Sequence, residues 1–213
     1  TATEGFPLIA TNSIKHSSIY PTPEKVRYVD KATLDSWFRA HIEPNDILFV
    51  NKGTPGRSCL VPDPVSFCVA QDMIGLRCDE ELISYQYLFA VLRSKYIKKV
   101  IENFHVGLVI PHFKKQDLPN VLIPRKETMR EEEEIGSLYI ALSKKIELNK
   151  RINTELEAMT KMLYDYWFVQ FDFPDENENP YKSSGGKMVY NEMLKREIPE
   201  GWEVWNLKDI VEL

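Results

Sequence analysis

The sequence predicts an α+β protein, in which an irregular β-rich domain with packed helices is followed by one long α-helix with a coiled-coil pattern. Two observations lead to this prediction. In the first half of the 213-residue chain, short apolar runs alternate with proline and glycine turns, which is typical of short strands. From residue 128 onward, apolar residues recur every three or four positions up to about residue 169, which indicates a long amphipathic helix.

The strands are predicted from five apolar runs, at residues 7–10, 47–50, 59–61, 66–70 and 73–76. Turn-forming segments separate these runs, among them Glu-Pro-Asn-Asp at 43–46 and Lys-Gly-Thr-Pro-Gly at 52–56. Proline presets φ in such turns, whereas glycine and asparagine tolerate positive φ. We therefore expect an irregular and mostly antiparallel sheet.

Two further elements are expected to complete the N-terminal domain. Apolar residues recur at helical spacing over 84–104, which predicts one amphipathic helix with Arg93, Lys95, Lys98 and Lys99 on or beside its polar side. The run at 120–124 predicts a closing strand. We accordingly place a domain at residues 1–126, a long helix at 127–171, and a linker followed by a short further segment at 172–213.

The long helix begins with a capping box, Thr128-Met-Arg-Glu131, and the acidic run 131–134 is expected to form a solvated first turn. A heptad seam follows, with Lys145 and Asn149 as polar positions that would fix register. At 1.5 Å per residue the helix would be about 60 Å long, so we expect the seam to face another helix or another chain. The alternative is a core helix that packs on its own domain. The residues assigned to the interface are Ile135, Leu138, Leu142, Asn149, Ile152, Leu156, Met159 and Leu163.

Composition excludes several classes of protein. No apolar stretch approaches the roughly 20 residues that a membrane span requires, and the first five residues lack the features of a signal peptide. Because the chain does not begin with Met, we expect it to be an excised or processed piece. Its three cysteines show no metal-ligand or disulfide spacing, which favours a cytoplasmic location.

The net charge of −5 is unevenly distributed. Residues 1–126 carry 16 Lys and Arg against 13 Asp and Glu, whereas the remainder carries 11 against 19. The N-terminal domain is therefore positive (+3) and the remainder negative (−8), which leaves nucleic acid open as a partner of the first part.

No motif predicts catalysis. The sequence lacks both nucleotide-binding glycine patterns, and its four histidines show no metal-ligand spacing. The tripeptide Asn179-Pro-Tyr181 resembles the substrate loop of amino-methyltransferases but lacks their second proline. We therefore predict no catalytic residue, no metal and no cofactor bound by this chain.

Binding is the function that remains. Basic and polar residues lie in the turns of the positive segment, interleaved with Tyr20, Tyr28 and Phe113. Such residues are attracted to phosphates, and arginine can also pair with guanine in the major groove. We expect the contacts in three loops, around 12–15, 52–57 and 107–115. The candidate DNA-binding residues are Asn12, Lys15, Lys52, Arg57, His112, Lys114 and Lys115.

Several segments, taken in order, resemble the specificity (S) subunits of type I restriction-modification systems, the HsdS family. The segments 5–14, 45–57 and 116–124 are similar to the start, middle and closing strand of a target recognition domain. The segments 145–159 and 167–172 resemble the family's conserved spacer helix. The resemblance covers nearly the whole chain.

The resemblance implies a non-catalytic subunit that reads one half of a bipartite target in double-stranded DNA. It also implies docking of methyltransferase (M) and restriction (R) subunits, which would bind S-adenosylmethionine and ATP. The family's subunits carry two recognition domains, whose spacer helices pair as an antiparallel coiled coil. A coiled-coil scaffold that does not contact DNA is the alternative function, and a self-contained methyltransferase is the third.

This chain departs from the family pattern because it holds one recognition domain and one helix. Residues 196–210 look like the opening of a recognition domain, and that opening is missing before Thr1. Two interpretations stay open. Either the chain is a fragment that ends just inside a second recognition domain, or its C-terminal segment completes its own or a neighbour's domain. We hypothesise that two copies pair through their helices.

Overall fold

The computed structural model describes residues 4–24, 26–37, 41–104 and 111–212. The chain divides into two compact units, Thr1–Leu148 and Asn149–Leu213. One helix, Met129–Tyr164, belongs partly to each. Small sheets and helices occur together in the first unit, so the predicted α+β class is confirmed.

In the described part of the first unit, six strands form two three-stranded sheets. They are β1 (Phe6–Ile9), β2 (Arg27–Val29), β3 (Ile47–Val50), β4 (Ser58–Leu60), β5 (Cys68–Val69) and β6 (Met73–Leu76). One sheet has the order β2-β1-β5 and the other β4-β3-β6. All five predicted runs hold a strand, although β5 has only two residues. Strand β2 was not predicted, because three residues are too few to show an alternating pattern.

The prediction of a mostly antiparallel arrangement is correct for three of the four described strand pairs in the first unit, but two features were not predicted. The strands lie in two sheets, and β1 pairs with β5 in parallel. A parallel pair needs a long crossover, and here the chain forms β3 and β4 of the other sheet between these two strands. Apolar runs do not show which strands will become neighbours.

Strand β3 lies at the centre of the first unit. Ile47 and Phe49 enter one apolar cluster, whereas Leu48 and Val50 enter a second cluster on the opposite face. Side chains alternate between the two faces of a strand, so both faces of β3 are covered. This explains why its sequence is a continuous apolar run rather than an alternation.

The predicted single helix over 84–104 is two helices, α2 (Tyr85–Leu92) and α3 (Lys95–Phe104). The Ser94 hydroxyl accepts a hydrogen bond from the Ile97 amide at 3.3 Å. Serine is a favoured N-cap residue, and it starts a new helix here. The apolar spacing continued across this break and concealed it. A further helix, α1 (Lys31–Trp37), precedes both and was not predicted.

The predicted closing strand at 120–124 is not a strand. Residues Lys115–Asn120 form a 3-10 helix, and the chain then runs extended without pairing to a sheet. Side chains hold it instead, since the Tyr87 hydroxyl donates to the Pro124 carbonyl at 2.8 Å. Arg125 Nη2 donates to the Leu82 carbonyl at 2.6 Å. An apolar run can therefore be extended without joining a ladder.

The long helix, α4, comprises the 36 residues Met129–Tyr164. Its predicted capping box is present, because the Glu131 carboxylate accepts from the Thr128 amide at 3.1 Å and Thr128 Oγ1 accepts from the Glu131 amide at 3.3 Å. The prediction of a solvated first turn is partly wrong, because Glu132 is fully buried. Its carboxylate accepts bonds of 2.7 and 2.9 Å from Arg125 and one of 2.9 Å from the Lys126 amide.

The second unit contains the C-terminal part of α4, one π-helical turn (Asp165–Val169), and a hairpin of β7 (Met188–Asn191) and β8 (Arg196–Pro199). Aromatic rings stack beside the hairpin, with Phe173 between Tyr181 at 4.8 Å and Trp202 at 5.5 Å. None of the helices in the described part of the chain is both long and apolar enough to cross a membrane.

Candidate nucleic-acid interface

The structure joins two of the three loops that were expected to contact DNA. Lys52 and His112 form an isolated antiparallel bridge. The Gly53 amide donates to the Pro111 carbonyl at 2.9 Å, and the Phe113 amide donates to the Asn51 carbonyl at 2.7 Å. Residues 107–110 of the third predicted loop lie outside the described residues. The candidate residues Lys52 and His112 are thus brought side by side from sequence positions 60 apart.

A buried aromatic ring anchors the second of these loops. Phe113 is fully buried and meets Phe49 of β3 edge-on, with ring centroids 5.8 Å apart. Its neighbour Lys114 is exposed, and so is Lys115 at the start of the 3-10 helix. The ring fixes the backbone in the core and leaves the two ammonium groups in solvent.

Arg57 lies at the end of a tight turn after β3. Gly56 has a φ of +90°, and a Cβ at this position would come within 2.9 Å of Ile101 Cδ1 in α3. Glycine is favoured in this left-handed conformation and permits the close approach. The turn that carries Arg57 therefore packs directly against α3.

Three basic side chains act on His16. Burial lowers the pKa of His16, and the positive charges of Arg93, Arg57 and Lys98 lower it further. Arg57 is distant in sequence from Arg93 and Lys98, so the fold brings positive charge to His16 from two parts of the chain. We name the three basic residues around it the cationic cluster: Arg57, Arg93 and Lys98. Among these, only Arg57 was assigned to the site from the sequence, although the basic polar side of residues 93–99 was a usable signal.

Asn12 and Lys15 are tethered to a neighbouring acidic residue. Asn12 Nδ2 donates to the Glu24 carbonyl at 3.3 Å, and the Lys15 ammonium pairs with the Glu24 carboxylate. Both partners of this ion pair are partly exposed, and surface pairs of this kind contribute little to stability. A phosphate approaching Lys15 would compete with Glu24.

The described residues show no metal-binding cluster, and burial makes two of the cysteine thiols unreactive. No group of three or more His, Cys, Asp or Glu there could hold a metal ion. All three cysteines are free. Burial raises the pKa of Cys59 to about 12, and burial together with Glu80 and Asp46 raises that of Cys78 to about 11. These thiols stay protonated near neutral pH, and a thiol is a poor nucleophile.

The predicted seam of α4 is exposed along its whole length. Leu138 is 60% exposed in the first unit, and Leu156 is 54% exposed in the second. A different stripe of the helix packs on the first unit, with Glu132, Gly136 and Ile140 buried. The remaining seam residues are also exposed, namely Ile135, Leu142, Asn149, Ile152, Met159 and Leu163.

Two known proteins have sequences similar to part of this chain. The chain is 30% identical over 128 residues to the type I restriction enzyme MjaIX specificity subunit of Methanocaldococcus jannaschii, covering 60% of the chain and 27% of that protein. It is 28% identical over 138 residues to the HindI specificity subunit of Haemophilus influenzae, covering 62% of the chain and 29% of that protein. The matched part of the chain thus spans less than a third of the length of each relative.

A solved structure supports the same fold. The HsdS subunit of Thermoanaerobacter tengcongensis superposes with a TM-score of 0.54 at 20% identity, covering 82% of this chain and 44% of that one. The family model of the type I restriction modification DNA specificity domain matches residues 4–158. That range includes the cationic loops and most of α4, and the chain therefore belongs to the family of type I restriction-modification DNA specificity domains.

Proposed function

We propose that this chain acts as a DNA sequence-specificity subunit, or as part of one, in a type I restriction-modification system. It would recognise one half of a bipartite target and carry out no chemistry itself. The family match over residues 4–158 is the observation that carries this proposal. The two curated relatives are both named as specificity subunits.

The geometry of the first unit supports a role in binding phosphate. Lys52 and His112 lie together, Lys114 and Lys115 are exposed beside them, and Arg57 belongs to the cationic cluster. Lysines of this kind position a protein on the DNA backbone, whereas arginine can also read guanine. Asn12 and Lys15 would add contacts at the edge of the same surface.

The exposed seam of α4 supports a role in binding partner subunits. We propose that methyltransferase and restriction subunits dock along this helix and that they, rather than this chain, bind S-adenosylmethionine and ATP. A second S half, or a second copy of this chain, would pair with the same apolar face. The complex would work in the cytoplasm, where its DNA target lies.

A DNA-binding measurement with a charge-matched control tests this function. We expect the triple variant Lys52→Ala, Lys114→Ala, Lys115→Ala to weaken binding in the presence of the methyltransferase subunit. Each lost phosphate contact should also reduce the slope of log affinity against log salt by about 0.9. The control removes three exposed lysines of the second unit: Lys182→Ala, Lys195→Ala and Lys208→Ala.

The two triple variants have the same net charge, so a difference between them reports the location of the binding surface. Equal affinities and equal salt slopes for both would contradict the proposed surface. Absence of any duplex binding by the wild-type complex would favour the scaffold function instead.

A further inference from the structure

Two side chains that are distant in sequence hold the loop that begins with Lys15 and His16. We name residues 15–20 the recognition loop. The Ile19 amide donates to Glu147 Oε1 at 2.8 Å, across 128 residues of sequence. The Ser18 carbonyl accepts from Arg93 Nη1 at 2.9 Å. Consecutive backbone groups of the loop are therefore tied to α4 and to the end of α2.

The first tie joins a buried position of the loop to the long helix. The Ile19 side chain is fully buried in the same apolar cluster as Ile140 of α4, and its carbonyl accepts from the Leu60 amide at 2.8 Å. No backbone carbonyl of the described residues accepts from the Ile19 amide, and the Glu147 carboxylate satisfies it instead. A buried amide that loses its acceptor is costly, and an acceptor with a negative charge forms a stronger bond than a neutral one.

The second tie is fixed by aromatic rings. The Arg93 guanidinium carbon lies 5.0 Å from the ring centroid of Phe89 in α2 and 5.9 Å from that of Tyr139 in α4. Cations within about 6 Å of an aromatic face are attracted to it. The rings restrict the guanidinium, which in turn restricts the Ser18 carbonyl.

We propose that Glu147 and Arg93 are positioning residues for DNA recognition, which hold the recognition loop that carries Lys15 and His16. This inference rests on the proposed function. A loop that is ordered before binding avoids the entropy cost of being ordered on the DNA. The spacer helix would then do more than separate two half-sites, because one of its side chains would hold part of the DNA-contacting surface in place.

Substitution of Glu147 tests this proposal, because the loss of its charge and the loss of its hydrogen bond predict opposite changes in DNA affinity. Replacing Glu147 with Ala removes a negative charge, which by electrostatics alone should strengthen binding to phosphates. If Glu147 positions the loop, the same substitution should weaken binding. Glu155→Ala is the matched control, since it removes the same charge from an exposed site further along α4.

The experiment measures the dissociation constant of each variant with the methyltransferase subunit, for a duplex selected from a random library by the wild-type complex. We expect Glu147→Ala to raise the dissociation constant about tenfold, equivalent to about 1.4 kcal/mol. Hydrogen exchange of the Ile19 amide, followed by NMR, should accelerate by a similar factor. Glu147→Gln keeps an acceptor oxygen, so it should retain most of the DNA affinity and most of the protection of the Ile19 amide. Glu155→Ala should not weaken DNA binding.

The outcomes separate this inference from the function on which it rests. If the wild-type complex selects no duplex, the proposed function fails and the positioning role fails with it. If the wild type binds and Glu147→Ala binds equally well or more tightly, the positioning role alone is overturned. An accelerated Ile19 amide without a loss of affinity would also overturn it, because the tie would then serve the fold and not recognition.

Discussion

The two halves of α4 have similar apolar patterns but different surroundings. In the first half, Glu132, Gly136 and Ile140 are buried, and Tyr139, Ser143 and Glu147 are partly covered. In the second half, every residue from Asn149 to Tyr164 is exposed. The apolar seam is exposed in both halves, and only the first half has a packed face as well.

The stripe of α4 that packs on the first unit, with Glu132, Gly136 and Ile140, is less apolar than the exposed seam. It contains a buried carboxylate and a glycine, whereas the exposed seam contains mainly Leu, Ile and Met. Hydrophobic spacing alone would have assigned the seam to the core. The first half of α4 packs through Ile140 in the apolar cluster, through close backbone approach at Gly136 and through the Glu132 ion pair, and its apolar seam stays exposed.

The largest effect is expected at the closest contact of the first half. A Cβ on Gly136 would lie 2.5 Å from the Tyr87 amide nitrogen and 2.7 Å from the Gln86 carbonyl carbon. Both atoms are backbone, so Gly136→Ala should force α4 away from α2 and destabilise the protein by about 2 kcal/mol. Thermal unfolding measures the loss.

The sign of this effect makes it diagnostic. In an exposed helix, replacing Gly with Ala stabilises by about 1 kcal/mol. Ser137→Ala, at the exposed neighbouring position, is the control and should be neutral or slightly stabilising. A stabilised Gly136→Ala variant would show that the first half of α4 does not pack as closely as the structure has it.

The next effect concerns the ion pair that fixes the start of α4. The Arg125 hydrogen bond lowers the pKa of Glu132, and the Lys126 amide and the Arg125 charge add to this against the cost of burial. Because the pKa is lower in the folded state, the stabilisation is present above the unfolded value of 4.5 and is lost as the pH falls through the folded value.

Glu132→Gln should therefore destabilise at pH 7 by about 2 kcal/mol, the scale of a hydrogen bond to a charged group. Chemical denaturation at a series of pH values measures this, and the gap between wild type and variant should narrow below pH 4.5. A gap that stays constant down to pH 3 would mean that the charge of Glu132 does not contribute.

Sequence reasoning found most of the strands and the helix cap because these depend on local chemistry. Apolar runs located β1, β3, β4 and β6, and the Thr128–Glu131 box located the start of α4. It failed where distant segments decide the outcome. Which strands become neighbours, and whether residues 120–124 join a ladder, depend on contacts that no local pattern contains.

The candidate site shows the same division. Loop position and charge suggested Lys52 and His112 as separate candidates, but only the fold shows that they pair. Lys98 was assigned to the polar side of a helix, and its proximity to His16 could not be inferred from spacing. Glu147 was unremarkable in the sequence, because its partner is a backbone amide 128 residues away. Whether these residues contact DNA stays a prediction.

The exposed seam predicts an effect on association rather than on folding. Leu142 and Leu156 represent the seam in the first and second halves, and both are 54% exposed. Replacing either with Lys should weaken pairing of two copies or two S halves about tenfold, since a charge opposes burial in an apolar interface. Light scattering over a concentration series measures this.

Folding stability should change by less than about 0.5 kcal/mol in the same variants, as is usual for surface substitutions. If the wild-type chain stays monomeric at micromolar concentration, with or without an added S half, the prediction of pairing through this face is wrong. If only Leu156→Lys had an effect, the partner would cover the second half alone.

The smallest effect is expected for an ion pair in the second half. Arg151 and Glu155 are 3.9 Å apart, one helical turn from each other, with side chains 71% and 69% exposed. Exposed pairs of this spacing contribute roughly 0.3–0.5 kcal/mol. Glu155→Gln should therefore cost far less than Glu132→Gln at pH 7, although the chemical change is the same. Parallel denaturation of the two variants in dilute solution measures the contrast. Equal losses would mean that Glu155 is covered in solution, and the distinction between a packed first half and an open second half of α4 would have to be abandoned.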